Sequence, residues 1–329
     1  MTKSRRAKAI ATPAIAFAIA LSPLGPFSQT SSPANHPAQA ASTAPYLGRW
    51  DLTLKGPDRD YPSWIDILDE KGHLSARMVG RWGSARALPK VEITQGKLLF
   101  VSPKDEEGSD HDLVFRGTVA ANTLSGTTTG PDGKVWQWTG VHAPPLTRTS
   151  QPRWGRPVTL FNGKDLSGWK MDHPGPPSWT VQNGTLVTPG NGPELISDFK
   201  VQDFKLHIEF NCGKDSNSGI YLRGRYEVQV ETESQAEPAS HHTGGVYGFL
   251  APSPELPRTP DTWQAFDITL IGRRVTIVQN GKTVIDNQEI PGITGGALNS
   301  HEAEPAPIYL QGSEKGHVAF RNILLTPAR

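Results

Sequence analysis

Between Asp203 and Glu233 apolar and polar positions alternate through three successive runs, the period-2 signature of strands with one buried face. In the first run Leu206, Ile208 and Phe210 share one side, and Lys205, His207 and Glu209 the other. In the second, Ile220 and Leu222 turn inward while Tyr221 and Arg223 turn out. The third sets Tyr226, Val228 and Val230 against Glu227, Gln229 and Glu231. Lys, Thr or Ser would be enough to keep such a face soluble. A row of carboxylates, an amide, a guanidinium and a phenol predicts a polar site on the scale of a sugar.

The same alternation recurs along most of the chain. WIDILDEKGHLSARMV, VEITQGKLLFV and TTTGPDGKVWQW read as hairpins turning at Lys71-Gly72, Gln95-Gly96 and Asp132-Gly133. Several short strands within about a hundred residues lose their exposed edges most simply by closing into a small barrel. Residues 46–145 are therefore expected as a first domain, and GRWDLTLKG at its start resembles the lipocalin-like barrels. Its Trp50, Trp64, Trp82, Trp136 and Trp138 either fill the barrel, the commoner fate of aromatic residues, or present a carbohydrate platform. A Pro- and Arg-containing connection at 146–157 shows no alternation, and alternation resumes in a second domain at 158–329. There Asn183-Gly184 and Asn280-Gly281 mark hairpins, and AFDITLIGRRVTIVQNGKTVIDN, PIYLQG and HVAFRNILLTP supply further strands. Ten or more strands with one buried face make an all-β, two-sheet sandwich. The Gly- and Pro-rich stretch from Ser234 to Thr262, holding His241, His242 and Tyr247, is expected as a loop folded over one end of a sheet.

Composition narrows the partners. Lys and Arg total 33 against 32 Asp and Glu, so no general field draws the chain to nucleic acid, and a neutral ligand is expected. Lys3, Arg5, Arg6 and Lys8, an apolar run from Ala9 to Leu24 and Ala38-Gln39-Ala40 read as a signal peptide over 1–40, with 41–45 as linker. Export to the periplasm or the medium follows, with no stable membrane association after cleavage. The single cysteine, Cys212, shares parity with Phe210 and belongs on the core side.

FNGKDLSGW, DFKLHIEF, NSGIYLRGRYEVQV, GGVYGF, the Trp263 strand with its VQNGK turn, and PIYLQG followed by FRNI resemble, in that order, the 3-keto-glycoside (3-keto-disaccharide) hydrolases and lyase/hydratases. The resemblance runs from Thr159 to Pro327 and implies a concanavalin A-like jelly-roll sandwich acting on an oxidised glycoside. Many relatives carry Asp-His-Gly directly after Leu-Gln-Gly. Here Gly312 is followed by Ser313-Glu314-Lys315-Gly316-His317, which leaves Glu314 or His317 as substitutes.

The implied chemistry begins at a ketone on C3, which acidifies the C2 proton. A base removes that proton, the C1 substituent leaves by β-elimination, and water adds to the enone. This needs a base, a stabiliser for the enolate and an acid. Glu227 or Glu209 is the expected base, since repulsion between neighbouring carboxylates raises the pKa of one. Arg223 is the expected stabiliser, and Tyr221 and His242 are the expected acids. Gln229, Tyr247, Gln311, His301, Glu302 and Arg321 are expected to bind substrate. No cofactor is required, although a divalent metal held by His242, His301, Glu302 and the strand carboxylates would serve an enolate. A conventional two-carboxylate glycosidase and a non-catalytic carbohydrate-binding module remain alternatives at this point.

Overall fold

The computed structural model describes residues 42–173, 179–188, 190, 192–233, 237–312 and 315–329. The signal-peptide reading of 1–40 lies outside the described residues, as do Ser313 and Glu314. Helix among the described residues is limited to the single turn α1 (Lys104–Glu107) and two 3-10 turns. None is long and apolar enough to cross a membrane.

The first nine strands are β1 (Gly48–Lys55), β2 (Asp60–Glu70), β3 (His73–Val79), β4 (Arg86–Ala87), β5 (Lys90–Thr94), β6 (Lys97–Ser102), β7 (Leu113–Ala120), β8 (Thr123–Thr129) and β9 (Val135–His142). They form one antiparallel sheet in the order β4-β3-β2-β1-β9-β8-β7-β6-β5. Its two end strands, β4 and β5, are separated in the chain by only Leu88 and Pro89, so the sheet must curl until its ends meet. Trp50, Leu52, Ile67, Phe100, Phe115 and Trp138 fill the interior. Four of the five tryptophans are packing residues, at most 5% exposed; Trp82 is 40% exposed.

The second group comprises β10 (Val158–Thr159), β11 (Trp169–Met171), β12 (Thr180–Gln182), β13 (Thr185–Thr188), β14 (Leu195–Val201), β15 (Phe204–Cys212), β16 (Asn217–Leu222), β17 (Tyr226–Glu231), β18 (Gln264–Ile271), β19 (Arg274–Gln279), β20 (Lys282–Glu289), β21 (Ala306–Leu310) and β22 (Val318–Pro327). One sheet runs β12-β13-β22-β15-β18-β19-β20, with β10 also on β22, and the other runs β11-β14-β21-β16-β17. Leu206, Ile208, Phe210, Phe266, Ile220, Val228, Ile308 and Phe320 belong to their shared core. Each such side chain contributes about 1.5–3 kcal/mol when fully withdrawn from water. Cys212 lies in this core as its parity predicts, and burial pushes its thiol up to about 12.

One expectation is corrected here. The three runs from Asp203 to Glu233 do not form neighbouring strands of one sheet. β15 belongs to the larger sheet, while β16 and β17 belong to the smaller. The alternation was read correctly within each strand, but Glu209 and Glu227 stand on different sheets. Arg321, opposite Glu209 on β22, goes with the larger sheet as well.

Residues 40–329 make one compact unit. Trp64 and Val79 of the first sheet belong to the sandwich's own core cluster, and the Trp64 indole N–H donates to the Ile293 carbonyl at 2.9 Å. The 146–157 segment is docked as well, with Arg148 donating to the buried Asp203 carboxylate at 2.6 Å.

Candidate active site

All six residues of β17 are buried, although the core covers only one side of it. Its free edge, away from β16, is taken by the 243–247 segment: Gln229 N–H donates to the Gly245 carbonyl, Tyr247 N–H to that of Glu227, and Val246 bridges to Val228. Over its other face lies a cleft of about 250 Å³, lined by Glu194, Asn217, Tyr221, Glu227, Gln229, Tyr247, Gly295, Gly296, Tyr309 and Gln311, together with Arg59, Trp82 and Gly83 from the first sheet.

The β16–β17 hairpin sets the register of this site. Its turn, Arg223-Gly224-Arg225, opens with two residues at positive φ (53° and 60°), and the Arg225 N–H closes it by donating to the Leu222 carbonyl at 3.1 Å. That turn places Tyr221 opposite Glu227 and Gly219 opposite Gln229. A methyl at Gly219 would lie 2.1 Å from the Glu227 carboxylate, so the glycine makes the slot the carboxylate occupies. β21 adds Tyr309, whose ring lies 4.4 Å from that of Tyr221. The segment entering β14 adds Glu194, which accepts from the Gly312 N–H at 2.5 Å.

Two features give this cleft acid–base capacity. Burial lifts the Glu194 carboxyl from an ordinary 4.5 to about 7, with Asp172 adding to the rise and the Gly312 N–H and Tyr309 hydroxyl opposing it. Tyr221 Oη lies 2.9 Å from Glu227 and 2.9 Å from the Gly295 carbonyl. A phenol has one proton, so both contacts are hydrogen bonds at once only when Glu227 carries a proton of its own. Burial, and next the Glu227 charge, raise the Tyr221 phenol well above its usual range, which keeps it neutral. The side-chain carbonyls of Gln229 and Gln311 are buried without a partner among the described residues, two acceptors on the lining of the cleft.

Of the residues named from sequence, the fold brings Tyr221, Glu227, Gln229, Tyr247 and Gln311 into this cleft. The others lie elsewhere. Glu209 is on the outer face of β15, where Asn322 at 2.6 Å and Arg321 at 2.7 Å hold its carboxyl below the usual range. Arg321 in turn stacks on Trp263. Arg223 occupies the turn, where alternation ceases to apply; its side chain is fully buried, donating to Tyr226 Oη and the Gly272 carbonyl. Glu302 is buried against Arg273 at 3.0 Å and accepts from Tyr226 at 2.6 Å. His301 is exposed, 3.7 Å from Glu304, and His242 lies 2.9 Å from Glu255. The proposed metal ligands therefore do not converge, and no group of three or more His, Cys, Asp or Glu gathers to hold a metal among the described residues. His317 lies 3.4 Å from Asp261.

The sequence reading missed Glu194, Asn217, Tyr309 and Arg59, and named Trp82 only as one of five tryptophans that fill the first domain or present a carbohydrate platform. Two of these had a signal. Tyr309 has the parity of Gln311, and Asn217 that of Tyr221, on strands whose outward faces were already under suspicion. Glu194 precedes its strand, and Trp82 lies in a loop of the other sheet, where periodicity carries no information.

Comparison with known proteins finds a family for the second half of the chain. The model of the 3-keto-alpha-glucoside-1,2-lyase-like domain matches residues 156–326. A 3-keto-disaccharide hydrolase of Bacteroides thetaiotaomicron is 32% identical over 76 residues, 26% of its own length. The chain thus spans about a quarter of the curated relative it matches. Among solved structures, a Parabacteroides distasonis protein provisionally described as a glycosyl hydrolase is 29% identical, with a TM-score of 0.45 over 51% of this chain and 82% of its own. A carbohydrate-binding module of Bacillus subtilis is 14% identical, with a TM-score of 0.35 over 50% of this chain and 97% of its own.

Proposed function

We propose, since the chain belongs to the 3-keto-alpha-glucoside-1,2-lyase-like domain family, that its cleft cleaves the glycosidic bond of 3-keto-glycosides by elimination followed by hydration. The observation that carries this reading is the presence, in one cleft, of Glu227 beside the Tyr221 hydroxyl and of Glu194, whose own carboxyl is lifted to about 7. One group can begin as the base while the other begins as the acid.

In this reading Glu227 removes the C2 proton and the C–H electron pair delocalises onto the C3 oxygen. As the carbonyl re-forms, the C1–O bond breaks, and Glu194 protonates the departing oxygen. Water then adds to C1 of the enone, losing a proton to the Glu194 carboxylate, while Glu227, its proton exchanged with solvent in the meantime, returns one to C2. The net change is hydrolysis, and both carboxyls end as they began. Asn217, Gln229 and Gln311 hold the sugar hydroxyls, and the Tyr309 hydroxyl stands by the acid. We place the reaction outside the cytoplasm on the strength of the basic and apolar run before Ala40.

The test is to incubate the mature protein with a 3-keto-glucoside and its unoxidised parent, in D2O as well as in water. Release from the keto substrate alone, with deuterium entering C2, is the expected result. Release from both substrates makes the protein a conventional glycosidase, and binding without release makes it a lectin.

A further inference from the structure

The cleft is not built by the sandwich alone. Between β3 and β4, residues 80–85 of the first sheet reach its mouth, and this loop is fastened at three points. Arg81, 7% exposed, donates to the carboxylate and carbonyl of Glu107. Gly83 packs so closely on Gly295 that a methyl at Gly295 would come within 2.5 Å of its backbone. Ser84 Oγ lies 2.5 Å from His241 Nε2, and the same imidazole stacks on Tyr247 of the cleft at 4.2 Å. What this fastening presents is Trp82. The Arg81 guanidinium lies over its ring at 4.3 Å and Tyr61 meets it edge-on at 5.5 Å, yet 40% of the residue remains exposed at the cleft. Arg59 lies over Tyr61 beside it and is the one cationic side chain among the described residues lining the cleft.

A large indole held by its neighbours and exposed next to two amide carbonyls without partners among the described residues is the arrangement that stacks on a ring while neighbouring polar groups take its hydroxyls. The catalytic carboxyls come from the sandwich and fit one sugar, whereas Trp82 and Arg59 come from the facing sheet. We propose that the N-terminal sheet forms the leaving-group subsite: Trp82 stacks on a ring-shaped aglycone or second sugar, and Arg59 binds an oxygen acceptor or carboxylate at that ring's edge. The assignment rests on the function proposed above and adds to it which part of the chain receives the departing ring, a sheet that lies outside the family's region.

The experiment compares methyl, phenyl and 4-carboxyphenyl 3-keto-glucosides on wild type, Trp82→Ala, Trp82→Phe and Arg59→Gln. Trp82→Ala is expected to raise KM for the two aryl substrates about tenfold, to leave the methyl substrate within twofold, and to be largely rescued by Trp82→Phe. Arg59→Gln is expected to lower kcat/KM for 4-carboxyphenyl relative to phenyl several-fold. An equal loss on all three substrates, or an unchanged aryl-to-methyl ratio, overturns the subsite. If wild type cleaves none of them, the proposed reaction fails and the subsite is read by calorimetry with phenyl and methyl glucoside. A phenyl preference that Trp82→Ala removes then supports the subsite; no such preference, or one that survives the substitution, overturns it.

Discussion

Two rows of outward side chains in this protein follow the same alternation and end in opposite chemistry. On β15, His207 pairs with Asp267 at 2.7 Å and Glu209 with Arg321 at 2.7 Å, and both remain partly exposed. Such pairs are each worth about 0–1 kcal/mol, because water competes for the charges. On β16 and β17, Tyr221, Glu227 and Gln229 are at most 4% exposed, in a cleft whose walls include Tyr247 and the Trp82-Gly83 loop. The strand pattern assigns a side chain to a face. Whether that face becomes a solvated surface or an active site depends on what folds over it, and the cover comes from segments with no period at all.

The contrast can be broken most forcefully at the carboxylates. Glu227→Gln should lower kcat on a 3-keto-glucoside about 10²–10⁴-fold, the usual range for losing a general base. The same change at Glu209 should leave kcat within about twofold, and steady-state kinetics on the two variants decides the matter.

Glu194→Gln should cost about 10²-fold. As the initial acid, Glu194 works while protonated, so the wild-type rate should decline as pH rises through about 7, and the variant's pH–rate profile should lose that limb. Gly219→Ala drives a methyl into the Glu227 carboxylate. It should cost about tenfold in rate and about 1–3 kcal/mol of stability in denaturant melts, in line with other overpacked sites.

A smaller effect is expected where the first sheet meets the sandwich. Burial, with the neighbouring Glu302 charge adding to it, lifts the Asp51 carboxyl from 3.8 to about 8. The folded chain therefore holds a proton that the unfolded chain has released between about pH 4 and 8, and Asp51's part in stability falls as pH rises through that window. Asp51→Asn should flatten the decline of Tm with pH. The smallest effect belongs to the open row: removing the Glu209–Arg321 pair should shift stability by no more than about 1 kcal/mol.

The legible part of this molecule was the part governed by local period. The hairpin pairs Asn183-Gly184 and Asn280-Gly281 adopt the positive φ that their turns require, and Tyr221, Glu227, Gln229 and Gln311 share one cleft as their faces implied. Sheet membership was not legible, because β15 and β16 are joined by a few residues that alternation does not describe, and so Glu209 was grouped with Glu227. Arg223 was misjudged for a related reason, since parity counted through a turn assigns a face to a residue that has left the strand. Glu302 and His301 resembled site residues in a polar loop, but Arg273 and Tyr226, distant in sequence, claim the first, and solvent claims the second.

Trp64 carries a consequence for where the chain can be divided. Its ring is 1% exposed within the sandwich's core, 5.9 Å from Phe249, yet it is encoded about ninety residues before the family's region begins at 156. A fragment cut at the apparent domain boundary would retain every motif of the family and still lack a wall of its own interior.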